Sequence, residues 1–322
     1  MAENPKLEDF ALSKQAQPKG ALSTIGVIGC GAMGQEIVKY VSQQGFDVKF
    51  VDVDEKVIEE SYKQIEEALD AKIAHWGLTE SEKKATLSRI EGAADYNILK
   101  DCDLIIEAIN TNKKGTSLYQ RQDVFSKVEE IVSEDSVIVS NTSTLMISDL
   151  ASILKHPERT LGMHFMSPVE TIRIVEVVRH VKTSDEAFEV ASKFVRMINK
   201  ELIEVHESPG NISTRMTVPM VNEACNILME GVASVRDIDR TMRMTFGNQY
   251  GPFELADKIG LDKLLRWMDN LYQEFGEQKY KASPVIKRLV RANHLGRKTA
   301  VGFYKYENNH PVEQAVTCAQ IK

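Results

Sequence analysis

The chain is poor in cysteine and spaces what it has for neither metal nor scaffold. Cys30, Cys102, Cys225 and Cys318 are scattered through 322 residues with no Cys-x-x-Cys pair. That argues against a zinc site and a disulfide framework and for a reducing compartment. No apolar run approaches the length a membrane-spanning helix needs. Positive charge is not in surplus either: 40 Lys and Arg stand against 47 Asp and Glu, for a net charge of −7. A nucleic-acid binder would carry a basic face, so that class is not expected. An anionic substrate stays compatible, because a local basic pocket can sit on an acidic protein. The opening residues Met1 to Gly20 lack the apolar core of a secretory signal and read as a loosely ordered arm of a cytoplasmic protein. There is no internal repeat and no low-complexity segment. What is present, 43% hydrophobic and 27% charged residues over this length, suits a soluble globular chain of two domains.

The most informative stretch is Ile25-Gly26-Val27-Ile28-Gly29-Cys30-Gly31-Ala32-Met33-Gly34, followed by the apolar run Val48-Lys49-Phe50-Val51 and Asp52. It reads as strand, glycine turn, helix, strand, acid. Gly29 allows a tight turn, Gly31 lets the backbone approach a pyrophosphate, and Gly34 lets the helix pack close to the strand. The free N–H groups where the helix opens, at Ala32 and Met33, would hold the diphosphate. Asp52, about twenty residues on, is placed for a ribose 2′-hydroxyl. Its charge would repel a 2′-phosphate, so the expected cofactor is NAD rather than NADP.

From Thr24 to about His206 strand and helix alternate, the signature of a doubly wound sheet. Asp54 is expected to cap a helix running to about Trp76, and Thr79-Glu80-Ser81-Glu82 starts a second as a capping box. This inserted helical hairpin is longer than a minimal crossover and would project from the sheet. Leu104-Ile105-Ile106-Glu107 and Val137-Ile138-Val139-Ser140 read as buried strands, which puts Glu107 and the loop from Asn141 to Thr144 at the cofactor cleft. Beyond Ser208-Pro209-Gly210 helical runs dominate: Met220 to Glu230, Val235 to Phe246, Phe253 to Ile259, Leu261 to Tyr272 and Val285 to Ala292, with one short strand at Gly302 to Tyr306. The expected architecture is therefore a Rossmann-type α/β domain over 24–206, preceded by the arm 1–23 and followed by an all-α domain over 207–322.

His164 and Glu176 are the leading pair for chemistry. A histidine at a strand end beside a nicotinamide could exchange the proton that accompanies hydride transfer. A carboxylate on the next strand could orient its ring. Their separation, with a Pro-containing turn between, suits neighbouring antiparallel strands. The same residues also fit a satisfied core histidine and a strand acid facing water. Ser143 could bond a substrate oxygen, though serines in such loops more often cap a turn.

At this point the chain resembles the L-3-hydroxyacyl-CoA dehydrogenase family, including the short-chain 3-hydroxybutyryl-CoA dehydrogenases. The likeness runs from Thr24 to Tyr306. Gly29 to Gly34, Ile105 to Ile109, Ser140-Asn141-Thr142-Ser143, His164-Phe165 with Pro168, and Val175-Glu176-Val177 carry it in the first domain. Gly251-Pro252-Phe253-Glu254-Leu255, Gly260-Leu261-Asp262, Gly296-Arg297-Lys298-Thr299 and Gly302-Phe303-Tyr304 carry it in the second. The resemblance implies that His164 is the catalytic base paired with Glu176, and that Ser143 contacts the substrate 3-oxygen. It lays Gly29, Gly31, Gly34, Asp52 and Glu107 along NAD, with Asn141 beside them. It also implies an acyl-CoA substrate, an active site in the cleft between domains, and a homodimer formed by the helical domain.

Four departures from the family pattern bear on the substrate. Thr214 stands where the family has a catalytic-site Asn, and Ser167 replaces the Asn usual after His-Phe-x. A segment around Asn110 to Thr116, with Lys113 and Lys114, follows Glu107 in place of the usual acid and Lys. The positions expected to meet coenzyme A are Ala68 and His75, with Lys72 as a substitute cation. Two further readings stay open on these grounds: a dehydrogenase of a non-CoA 3-hydroxy acid such as gulonate, and a non-catalytic, crystallin-like NAD-binding protein.

Overall fold

A computed structural model describes residues 22–109, 117–308 and 310–316. Residues 1–21 of the arm, Lys113, Lys114 and Cys318 lie outside the described residues. Two compact units emerge. One holds the described residues up to Thr142 together with Ile147–Glu204; the other holds Ser143–Met146 and the described residues from Val205 on.

In the first unit the short apolar runs become an eight-stranded sheet in the order β3-β2-β1-β4-β5-β6-β7-β8. The strands are β1 (Thr24–Ile28), β2 (Asp47–Val51), β3 (Ile90–Ala93), β4 (Leu104–Glu107), β5 (Val137–Ser140), β6 (Thr160–His164), β7 (Ile174–Arg179) and β8 (Glu201–His206). β1 to β6 pair in parallel, and β7 runs antiparallel to β6. Side chains alternate between the two faces, and both faces are covered. Val27, Phe50, Ile106 and Val139 pack with α1 (Ala32–Gln43), α2 (Glu55–Ala74) and α6 (Asp185–Met197). Ile105 and Ile138 pack instead with Phe125 and Val128 of α4 (Ser117–Ile131) and Leu150 of α5 (Ile147–Ala151). β1 lies between β2 and β4, so the chain reverses direction across the sheet there. That is the point where ligand crevices form at strand C-termini.

The helical hairpin is present. Asp54 accepts from the Val57 N–H at 2.9 Å. α3 (Glu80–Leu87) opens on a reciprocal Thr79–Glu82 capping box. Lys83 ties it to Glu66 and Asp70 of α2. β3 escaped the sequence reading because Ile-Glu-Gly-Ala is too short and too polar to signal a strand.

The second unit is built on α7 (Ser213–Met229), α8 (Val235–Phe246), α9 (Pro252–Ile259), α10 (Leu261–Phe275) and α11 (Pro284–Arg291). It is not wholly α: β9 (Tyr304–Glu307) and β10 (His310–Gln314) form an antiparallel hairpin. α7 begins before the expected Met220, because Pro219 sits inside it rather than opening it. Phe253, Leu264, Met268, Leu271 and Phe303 fill the core. Two buried carboxylates pin its parts together. Asp239 accepts from the N–H groups of Phe253 and Glu254 and from the Tyr304 hydroxyl, at 2.8, 2.9 and 2.9 Å. Asp257 accepts from Phe303 N, Tyr304 N and the Tyr306 hydroxyl, at 2.9, 3.0 and 2.9 Å. Burial pushes the Asp257 carboxyl up to about 7 although all three donors pull the other way. Asp239 is likewise pushed up to about 6.

Candidate active site

The glycine turn joins β1 to α1 where the sheet order reverses. Gly29 has φ +88°, and a Cβ there would stand 2.8 Å from the Ile109 backbone. Gly34 is required by close approach, since its Cβ would lie 1.9 Å from the Gly29 carbonyl oxygen. Among the described residues, a Cβ on Gly31 would touch no atom within 4 Å. Packing within the fold therefore gives no reason for glycine there, whereas approach of a diphosphate does. No side chain caps the α1 N-terminus, which leaves the first-turn N–H groups of Ala32, Met33 and Gly34 available as anion donors. These residues fit NAD.

Asp52 follows β2 and fastens the same turn. Its carboxylate accepts from Cys30 N at 2.6 Å and Val53 N at 2.7 Å. Glu107, expected to line the cofactor cleft, turns its carboxylate inward. It is wholly buried and paired with Arg121 of α4. It also accepts from Ile109 N at 2.7 Å and from the Ser140 hydroxyl at 2.5 Å. Its charge is thus committed to the fold. Asn141 N donates to the Glu107 carbonyl at 2.8 Å, and Asn141 Oδ1 accepts from Phe165 N at 2.7 Å. Asn141 is thereby fixed beside the strand end that carries His164.

His164 and Glu176 are direct partners across the antiparallel β6–β7 pair. His164 Nδ1 lies 2.8 Å from Glu176 Oε2, with the residues only 5% and 2% exposed. Nδ1 is therefore the nitrogen that faces the carboxylate, leaving Nε2 for a reacting group. That is the arrangement of an oriented acid–base. The turn that follows His164 is held from two sides. Glu36 of α1 accepts from the Ser167 hydroxyl and from Val169 N, both at 2.6 Å. Lys200 donates to the Val169 and Ile172 carbonyls. Ser167 thus has a defined partner in Glu36, which the sequence reading missed along with Arg121. Neither is marked by any local pattern.

Ser143 and Thr214 belong to the second unit. Ser143 is half-buried, and its neighbour Thr144 accepts from Asn270 of α10 at 2.8 Å. The Thr214 hydroxyl is buried without a hydrogen-bond partner among the described residues. On the hairpin, Lys72 is engaged by Glu170 at 2.6 Å and donates to Gln43 at 3.0 Å, so it offers no uncompensated charge to a phosphate. His75 is exposed and Ala68 half-buried.

Comparison with known proteins gives one consistent result. Residues 24–208 match the NAD binding domain of 3-hydroxyacyl-CoA dehydrogenase, and residues 210–306 match that family's C-terminal domain. A 3-hydroxybutyryl-CoA dehydrogenase of Clostridioides difficile is 38% identical over 88% of this chain and 99% of its own. Among solved structures, FadB2 of M. tuberculosis superposes with a TM-score of 0.86 at 30% identity, over 89% of this chain and 100% of that one. The (S)-3-hydroxybutyryl-CoA dehydrogenase of Ralstonia eutropha gives 0.81 at 35% identity, over 89% of this chain and 100% of its own.

Proposed function

The chain belongs to the 3-hydroxyacyl-CoA dehydrogenase family of NAD-dependent oxidoreductases acting on CH–OH groups, and we propose that its substrate is a short-chain L-3-hydroxyacyl-CoA. It oxidises this thioester to the 3-ketoacyl-CoA or runs the reverse reduction. The observation that carries the reading is the buried His164–Glu176 pair, joined at 2.8 Å, in the unit that contains the cofactor cradle.

NAD supplies, when bound, the nicotinamide that accepts the hydride from carbon 3. Gly29, Gly31, Ala32, Met33 and Gly34 would hold its diphosphate, and Asp52 would meet its ribose. His164 takes the 3-hydroxyl proton on Nε2 while Glu176 steadies the ring through Nδ1 and offsets the positive charge that forms there. In the reductive direction His164 returns that proton to the oxygen. Ser143 and Thr214, both in the second unit, are assigned to substrate binding. A buried hydroxyl with no partner costs about 1–3 kcal/mol, and the lone Thr214 Oγ1 supports a ligand-facing role. The first unit thus serves the cofactor, and the second serves substrate binding and homodimer formation. Exposed Val232, Met244 and Phe246 in the helical unit support the dimer. None of the described helices is long and apolar enough to cross a membrane.

The direct test is NADH oxidation with acetoacetyl-CoA, beside NADPH and beside free acetoacetate. Turnover of the thioester with NADH is expected. The engagement of Lys72 by Glu170 favours a second reading, a 3-hydroxy acid without coenzyme A. Turnover of the free acid with silence on the thioester would select it.

A further inference from the structure

Arg121 of α4 stands beside the end of β4, next to the loop that packs on the glycine turn. Its side chain is 11% exposed, and its guanidinium forms a fork. Nη1 pairs with the wholly buried Glu107, and Nη2 donates to the Ile109 carbonyl at 2.7 Å. Glu107 in turn accepts from Ile109 N at 2.7 Å. Ile109 is therefore held at both its carbonyl and its amide by one ion pair. This matters because the Ile109 backbone is what closes over Gly29: a Cβ on Gly29 would meet Ile109 Cα at 2.8 Å and its nitrogen at 2.9 Å. The position of Ile109 sets the room beside the glycine turn.

The same pair reaches the β5 loop. Glu107 accepts from the Ser140 hydroxyl at 2.5 Å, and Ser140 Oγ accepts from Thr142 N at 3.2 Å. The Glu107 carbonyl takes the Asn141 N–H, and Asn141 Oδ1 takes the Phe165 N–H next to His164. We infer that Arg121 is a positioning residue for cofactor binding. Through Glu107 and Ile109 it fixes the glycine turn, and through Ser140 it fixes the turn that ends beside His164. The planar two-pronged donor is essential to that role, since a lysine ammonium cannot serve carboxylate and carbonyl in the same fixed geometry.

The inference rests on the proposed NAD-dependent reaction, but its test does not depend on the substrate. NADH affinity is read by fluorescence titration, and folding by the thermal midpoint. Arg121→Lys should weaken NADH binding by about tenfold, the weight of one or two net hydrogen bonds. Its thermal midpoint should stay within a few degrees of wild type. Arg121→Ala should regain much of the lost affinity with millimolar guanidinium, whereas guanidinium should not restore the affinity lost by Gly31→Ala. Wild-type NADH affinity in Arg121→Lys overturns the inference. Should the single variants fail to fold, Glu107→Gln/Arg121→Met removes both charges together, a change buried pairs commonly survive. Weakened NADH binding in that folded double variant supports the role, and unchanged binding refutes it. A wild-type protein that binds NADH but leaves acetoacetyl-CoA untouched defeats the substrate reading alone.

Discussion

Glu176→Gln is the substitution that separates orientation from charge in the His164–Glu176 pair. Glutamine keeps an oxygen for His164 Nδ1 and nearly the same volume, so the β6–β7 register and the ring orientation should survive. What it removes is the negative charge 2.8 Å from the ring, between residues 5% and 2% exposed. Two unit charges with centres about 4 Å apart attract by about 4 kcal/mol at an effective dielectric constant of about 20. If that attraction is felt by the imidazolium as it forms, its loss lowers kcat by about three powers of ten. The assay is steady-state NADH oxidation with acetoacetyl-CoA, with NADH affinity measured separately by fluorescence. The expected result is a fall in kcat near that size, with KM changing less than about threefold and NADH affinity unchanged. A fall of less than about tenfold in a well-folded variant would refute the reasoning, because the carboxylate would then be a structural partner only.

Four further variants follow from the geometry. Gly34→Ala drives a methyl to 1.9 Å from the Gly29 carbonyl and should cost about 1–3 kcal/mol of stability together with NADH binding. Gly31→Ala meets no atom of the described residues, so it should melt like wild type and still bind NADH poorly; equal behaviour of the two variants would contradict the cradle. Asp52→Asn should raise the NADPH-to-NADH ratio of kcat/KM by about tenfold or more as the repulsion of a 2′-phosphate is removed, and an unchanged ratio would remove Asp52 from cofactor choice. Asp257 titrates higher folded, about 7, than in an unfolded chain, so the stability it contributes is full below about pH 4 and is lost as pH rises through 7. That loss amounts to at most about 4 kcal/mol. Urea unfolding of the helical unit, followed by Trp267 in a Trp76→Phe background, should show a flatter pH slope over this range when Asp257→Asn is added.

The parts legible in the sequence were those whose physics is local. Strand, glycine turn, helix and acid follow one another without a long excursion, so the β1–α1–β2 cradle reads directly. The caps at Asp54 and Thr79 act within three residues and are found as read. The His164–Glu176 pairing was readable because a Pro-containing turn between two apolar runs brings them back antiparallel. Glu107 looked like a cleft acid because strand-end acids in such sheets often are. Its commitment to Arg121 depends on how the chain returns from β4 to α4, and no periodicity announces that. The allegiance of Ser143–Met146 to the second unit is tertiary and equally silent. The helical run expected from Met220 begins earlier, at Ser213, and α7 carries Pro219 internally.

The face-to-face placement of His164 and Glu176 makes the proposed dyad depend on counting as well as composition. Side chains alternate along a strand, so inserting or deleting one residue within β6 or β7 would carry one partner to the opposite side of the sheet. The connection 165–173, gripped by Glu36 and Lys200, protects that count. An insertion scan should therefore find the hairpin tip around the fully exposed Trp76 permissive and the span from β6 to β7 closed to any change of length.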